Sequence, residues 1–224
     1  MSQTLPSILE ASETTVIDES WFLTRAQRKR ELLRPFKSPA RQMIAVFGSS
    51  MTTRGTKEWD KAAAAGAELA KLGAVVINGG YAGVMEASAE GAVSQGGETV
   101  GLTCEDLPEK KANDFIINEW RCQRWDQRLI GLVWLADGYV FMPGSSGTLV
   151  ELSMVIETQL KGFIPIRPVV CLGVFWKSVV KRITGTSTIV QFAGSPRIAA
   201  RMAMGAPLPP KIRRRLPSGK KKRR

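Results

Sequence analysis

The sequence predicts an α/β fold, a parallel sheet with helices on both faces. Three observations predict it. Short apolar runs such as MIAVF (43–47) and GYVFM (138–142) read as strands buried on both sides. These runs alternate with helical patterns of roughly 10–20 residues. Three strands run straight into glycine- or serine-rich loops, GSS (48–50), NGGYAG (78–83) and PGSSGT (143–148). In parallel sheets ligands gather beyond the C-terminal strand ends, where these loops fall.

The elements follow in order. Residues 1 to about 20 are polar and irregular and read as a flexible N-terminus. WFLTRAQRKRELLRPF (21–36) suits a short surface helix ending near Pro35. MIAVFGSS is a strand entering a turn, and TKEWDKAAAAGAELAKLG (56–73) a helix with Gly73 past its end. AVVINGG (74–80) is the second strand, VMEASAEGAVSQGG (84–97) a helix with a glycine stop, and ETVGLT (98–103) the third strand. NDFIINEWRCQRWDQRLIGLVWLA (113–136) reads as a long or broken helical segment. GYVFM is the fourth strand and leads through the third loop into the amphipathic run LVELSMVIETQL (149–160). PVVCLGVFW (168–176) is the fifth strand, TIVQF (188–192) a candidate sixth, and SPRIAARMAM (195–204) a last helix. One domain over 21–204 and a proline-rich, basic tail over 205–224 are expected, with no internal repeat.

Composition narrows the chemistry. The chain has 224 residues, 44% of them hydrophobic, and no histidine. His-based acid–base catalysis and His-ligated metals are therefore excluded. Cys104, Cys122 and Cys171 lie far apart without C-x-x-C spacing, which suits a reducing cytoplasm and offers no zinc site. No apolar run approaches the roughly 18 residues of a membrane span, and MSQTLPSILEASETT lacks a signal pattern. A cytoplasmic protein without cofactor or metal is expected. The net charge of +12 is concentrated in KIRRRLPSGKKKRR (211–224), which holds nine basic side chains and leaves the rest at +3. That tail reads as an arm for nucleic acid or other polyanions, or as a nuclear address, or as a solubilising extension.

The stretch PGSSGTLVE (143–151) carries the functional question. A small-residue loop opening a helix presents backbone N–H groups to an anion. No Lys follows its last glycine, so it is not the triphosphatase loop. Glu151 is a candidate carboxylate, but Thr148-x-x-Glu151 also fits a capping box, and on spacing alone capping is the stronger reading. Arg128, within RCQRWDQR, taken alone reads better as part of an ordinary solvated helix face. Ser49 and Ser50 are candidate ligand contacts or an ordinary helix N-cap.

NGGYAGVME followed some sixty residues later by PGSSGTLVE resembles the paired G-G-G-x-x-G-x-M and P-G-G-x-G-T-x-x-E motifs of the LONELY GUY (LOG) family. The family's Arg fifteen residues before the Pro of the second motif corresponds to Arg128. The resemblance is strongest over residues 42–180 and includes LPEKKANDFI and ETQLKGFIPIRPVVCLGVFW. It implies a Rossmann-like fold and a phosphoribohydrolase that splits nucleoside 5′-monophosphates into free base and ribose 5-phosphate. It further implies catalytic roles for Arg128 and Glu151. Phosphate or nucleotide contacts are implied for Gly79, Gly80, Gly83, Met85, Glu86, Gly144, Ser145, Ser146, Gly147 and Thr148. A homodimer through the helical region is implied as well, with Trp120, Trp125 and Trp134 as core or subunit contacts rather than base-stacking platforms. Three positions depart from the pattern: Asn78 replaces the first Gly of the triplet, Ser145 the second Gly of P-G-G, and Leu129 the Lys after the Arg. Asn tolerates left-handed backbone. Ser145 adds a Cβ near the ligand, and Leu129 removes a charge. The last two favour the alternative, a LOG-fold protein that carries a nucleotide or nucleotide-like cofactor without cleaving it.

Overall fold

The computed structural model describes residues 15–17, 41–107, 111–185 and 188–207. Within them lie strands β1 (Thr15–Ile17), β2 (Met43–Phe47), β3 (Val75–Asn78), β4 (Glu98–Cys104), β5 (Asn118–Cys122), β6 (Gly138–Phe141), β7 (Val169–Leu172) and β8 (Val190–Ala193). The helices are α1 (Lys57–Lys71), α2 (Val84–Val93), α3 (Trp125–Leu135), α4 (Ser146–Leu160), α5 (Lys177–Thr184) and α6 (Pro196–Ala203). The strands form one sheet in the order β1-β5-β4-β3-β2-β6-β7-β8, and each of these pairings is parallel. The α/β expectation is met.

Alternation along the strands builds two cores. Met43, Ala45, Phe47, Val75 and Ile77 face one side with α3, α4 and α5 residues such as Leu132, Leu152 and Val180. Ile44, Val46 and Val76 face the other with Trp59 of α1, Ala87 of α2 and Ala199 of α6. Strands β2, β3, β6 and β7 are buried along their whole length, which is why their sequences are apolar runs, broken in β3 by Asn78 at its end. Thr56 caps α1 by accepting from the Trp59 N–H (3.2 Å), and the chain leaves it at Gly73, at φ +80°.

Two differences from the sequence reading concern strands. The long helical segment expected at 113–136 is divided: Asn118–Cys122 form β5, and the helix begins at Trp125. In NEWRC the buried residues are Asn118, Trp120 and Cys122, a period-two pattern too short to stand out beside an amphipathic helix. Residues 15–17, within the stretch read as irregular, pair in parallel with β5. The expected helix at 21–36 and the basic segment 211–224 lie outside the described residues.

Strands β2 and β6 are neighbours: Ile44 lies opposite Gly138 and Phe47 opposite Phe141. From β2 the chain winds through β3, β4 and β5 to one side, and from β6 through β7 and β8 to the other. The crevice beyond the β2 and β6 ends is the switch point where such sheets bind ligands.

Candidate functional site

A cavity of about 160 Å³ opens at this switch point. The loops after β2, β3 and β6 meet around it. The Ser49 N–H donates to the Pro143 carbonyl (3.1 Å), and the Ser49 carbonyl accepts from the Val84 N–H (3.0 Å). One residue, Ser49, thus ties all three loops together.

The loop after β3 is held from within. Asn78 is fully buried; its Oδ1 accepts from the Gly80 N–H (2.8 Å), and its Nδ2 donates to the Met85 carbonyl (2.9 Å) and Ser88 Oγ (3.2 Å). Asn113 Nδ2 donates to the carbonyls of Gly80 (3.0 Å) and Tyr81 (2.8 Å). Asn78 thus closes strand β3, and its value lies in its amide rather than in left-handed backbone.

Arg128 sits under this loop. It is buried on α3, donates from Nε to the Leu102 carbonyl (2.6 Å) and from Nη2 to the Gly79 carbonyl (3.0 Å), and lies 5.2 Å from the Tyr81 ring centre. The solvated-face alternative does not hold. Nη1 makes no hydrogen bond among the described residues, so one edge of the guanidinium remains for a ligand, less than a full fork.

The loop after β6 is built differently. Helix α4 begins at Ser146 with Ser145 as its N-cap, in extended backbone and without a side-chain cap hydrogen bond. Extended backbone accepts the Ser145 Cβ without strain, and its side chain joins the cavity wall. Among the described residues, the N–H groups of Ser146, Gly147 and Thr148 have no acceptor. Unpaired first-turn donors at a helix N-terminus are suited to an anion. Because Thr148 is the third helical residue rather than the cap, the capping-box reading of Glu151 fails. Glu151 belongs to the second turn, not the first.

Glu151 is partly buried and has no hydrogen bond or ion pair among the described residues. Burial pushes its carboxyl up to about 7, against the opposing pull of the Arg128 charge. Among the described residues, Arg128 and Glu151 are the only charged side chains on the cavity wall.

Of the candidate site residues, the wall gathers Ser50, Gly79, Met85, Arg128, Ser145, Gly147, Thr148 and Glu151. Ser49, Gly80, Gly83, Gly144 and Ser146 shape the loops without lining it, and Glu86 instead pairs with Arg54 at 3.6 Å. Tyr81, Leu107 and Trp125 line it without having been singled out as ligand contacts. Tyr81 was legible, since it lies inside NGGYAG; Leu107 and Trp125 lie outside both motifs. Trp120 is core, whereas Trp125 is 44% exposed. All three cysteines are buried and unpaired by disulfides, and burial pushes the Cys122 and Cys171 thiols up to about 12. Among the described residues no group of three His, Cys, Asp or Glu could hold a metal, and no helix is long and apolar enough to cross a membrane.

A family model described as the SLOG cluster4 family matches residues 41–195, more than half the chain. The chain belongs to the SLOG cluster4 family. An uncharacterized protein of Archaeoglobus fulgidus is 37% identical over 91 residues, which make up 40% of this chain and 58% of that protein. Among solved structures, the molybdenum cofactor binding protein of Rippkaea orientalis is similar at TM-score 0.62 and 22% identity, over 75% of this chain and 98% of that one. The molybdenum cofactor carrier protein of Chlamydomonas reinhardtii gives TM-score 0.58 and 20% identity, over 74% and 97%. At these identities the two structures show a shared fold. Family match and fold together bear out the LOG-like Rossmann expectation.

Proposed function

We propose that this SLOG protein hydrolyses the N-glycosidic bond of a nucleoside 5′-monophosphate, giving free base and ribose 5-phosphate. The observation that carries the reading is an unpartnered Glu151 carboxyl and a buried Arg128 on one cavity wall, beside the open N-terminus of α4. The 5′-phosphate takes the free N–H groups of residues 146–148. The Arg128 edge adds a fixed positive charge to phosphate or ribose oxygens.

Cleavage builds positive charge on the ribose, as in other glycoside hydrolyses. Ionised Glu151 orients a water toward the anomeric carbon and offsets that charge. The water oxygen bonds to the carbon, the carbon–nitrogen bond breaks, and its electron pair leaves with the base. One water proton passes to Glu151. With a pKa of about 7, Glu151 is a competent acid to return it to the departing base, so no histidine is required.

A second reading, binding without cleavage, has its own support. Two guanidinium nitrogens of Arg128 are committed to carbonyls, and Leu129 brings no charge to the wall. Two fold neighbours are named for binding or carrying the molybdenum cofactor. Incubation of the purified protein with a panel of nucleoside monophosphates, with free base followed by chromatography, tests both. Base release supports hydrolysis, binding without release supports the carrier reading, and neither outcome ends both.

A further inference from the structure

The α3 face toward the cavity carries more than Arg128. Trp125, Arg128 and Leu129 stand at i, i+3 and i+4, so they share one helical face, and all three line the cavity. Leu107 lines it too. The Asp106 carboxylate accepts from the Trp125 N–H at 2.7 Å, which joins the loop bearing Leu107 to the first residue of α3. Among the described residues, Trp125, Leu129 and Leu107 form an uncharged sector of the wall beside Arg128, with Trp125 as its aromatic side chain, while Phe47 and Tyr81 line the cavity as well.

Trp125 differs from the other described tryptophans. Trp59, Trp120 and Trp176 are buried and Trp134 is partly buried, whereas Trp125 is 44% exposed. An indole on a cavity wall, with its backbone fixed by Asp106, presents a flat π surface that costs a ligand little to order.

Building on the nucleotide reading above, we propose that Trp125, flanked by Leu107 and Leu129, is the platform on which the ligand's planar ring stacks. It is thereby the residue that sets ring preference. The flanking leucines carry no hydrogen-bonding groups, so the platform selects flatness and area rather than an edge pattern. A purine, with more ring to stack, is preferred to a pyrimidine. Leu129, where the family pattern has Lys, keeps the sector neutral and suits an uncharged ring.

The test is calorimetric titration of the full chain with AMP, UMP and ribose 5-phosphate, with ligand integrity checked by chromatography. Base–aromatic stacking removed by alanine weakens binding by about 10-fold or more. Trp125→Ala should therefore weaken AMP by at least that factor, UMP by less, and ribose 5-phosphate by no more than about twofold. Trp125→Phe should retain most of the AMP affinity, and thermal melting should show both variants folded. Equal losses for AMP and ribose 5-phosphate, or unchanged AMP binding, would overturn the platform. Wild-type protein binding ribose 5-phosphate as tightly as AMP would overturn it while leaving the phosphate site standing. Wild-type protein binding none of the three would remove the nucleotide reading and the platform together.

Discussion

The loops after β3 and β6 look alike in sequence, NGGYAG and PGSSGT, and both turn a parallel strand into a helix. Their polar groups are used differently. In the first, Asn78, Asn113 and Arg128 bond the backbone at Gly79, Gly80, Tyr81 and Met85. In the second, the N–H groups of Ser146, Gly147 and Thr148 at the start of α4 have no acceptor among the described residues, and Gly147 and Thr148 line the cavity. The first loop is a bracket that positions Arg128. The second leaves its helix N-terminus open, with Glu151 one turn further on. Glycine content alone therefore does not tell a ligand loop from a structural one; the hydrogen-bond account does.

The largest expected effect falls on the open side. Glu151→Gln should lower base release by about 10²-fold or more while the fold survives. The carboxyl is held at about 7 in the folded chain against an ordinary 4.5. The folded state thus keeps a proton that the unfolded state gives up, and stability falls as pH rises from about 4.5 to about 7. Glu151→Gln removes that slope. Its melting temperature should gain on wild type across this window and hold a constant lead above it. Wild-type turnover should rise with pH through about 7, and the variant's residual rate should not. Full turnover in Glu151→Gln, from a preparation shown to be active, would end the catalytic assignment.

A matched pair of alanines comes next. A Cβ at Gly79 would lie 1.7 Å from Arg128 Nη2 and 2.6 Å from Met85 Sδ, whereas one at Gly147 meets nothing within 4 Å. Gly79→Ala must displace a buried, hydrogen-bonded guanidinium. A cost of about 3 kcal/mol is expected, since bonds to charged groups contribute roughly 1.5–3 kcal/mol each. Gly147→Ala should leave stability within about 0.5 kcal/mol and weaken monophosphate binding, because its methyl intrudes on the anion site. Denaturant melts and phosphate-ester titrations on both variants check this. Equal destabilisation by the two would erase the distinction between bracket and open site.

Much of this was legible in the sequence. The apolar strands and glycine stops placed the three loops at one sheet edge, where Arg128 and Glu151 also come together. Strand β5 was hidden because five residues of alternation, NEWRC, sit beside an amphipathic run with its own 3.6-residue pattern. The capping-box reading of Thr148 failed because spacing does not reveal where a helix starts, and α4 starts two residues before Thr148. Trp125 and Asn113 owe their places to tertiary structure: one lines the cavity from an α3 start bonded to Asp106, the other reaches two carbonyls 32–33 positions away. No local pattern marks either.

The smallest expected effect on turnover belongs to Asn78, and it tests the bracket from inside. Asn78→Gly restores the family's glycine triplet, so a purely sequence-based view expects it to be neutral or beneficial. The structure predicts the reverse. The substitution removes the acceptor of the Gly80 N–H and one of two side-chain donors to the Met85 carbonyl; Ser88 Oγ still donates to that carbonyl at 3.0 Å. One buried N–H is left unpaired, at a cost of about 1–3 kcal/mol, and a further glycine beside Gly79 and Gly80 adds backbone freedom to the unfolded chain. A net loss of about 2 kcal/mol is expected by denaturant melting. Turnover should fall only modestly, because Glu151 and the open N-terminus belong to another strand's loop. Asn78→Asp separates the two contributions: it keeps the acceptor for Gly80 and loses the donor to Met85, and should fall between wild type and the glycine variant. An Asn78→Gly protein as stable as wild type would show that the bracket is held by Arg128 and Asn113 alone.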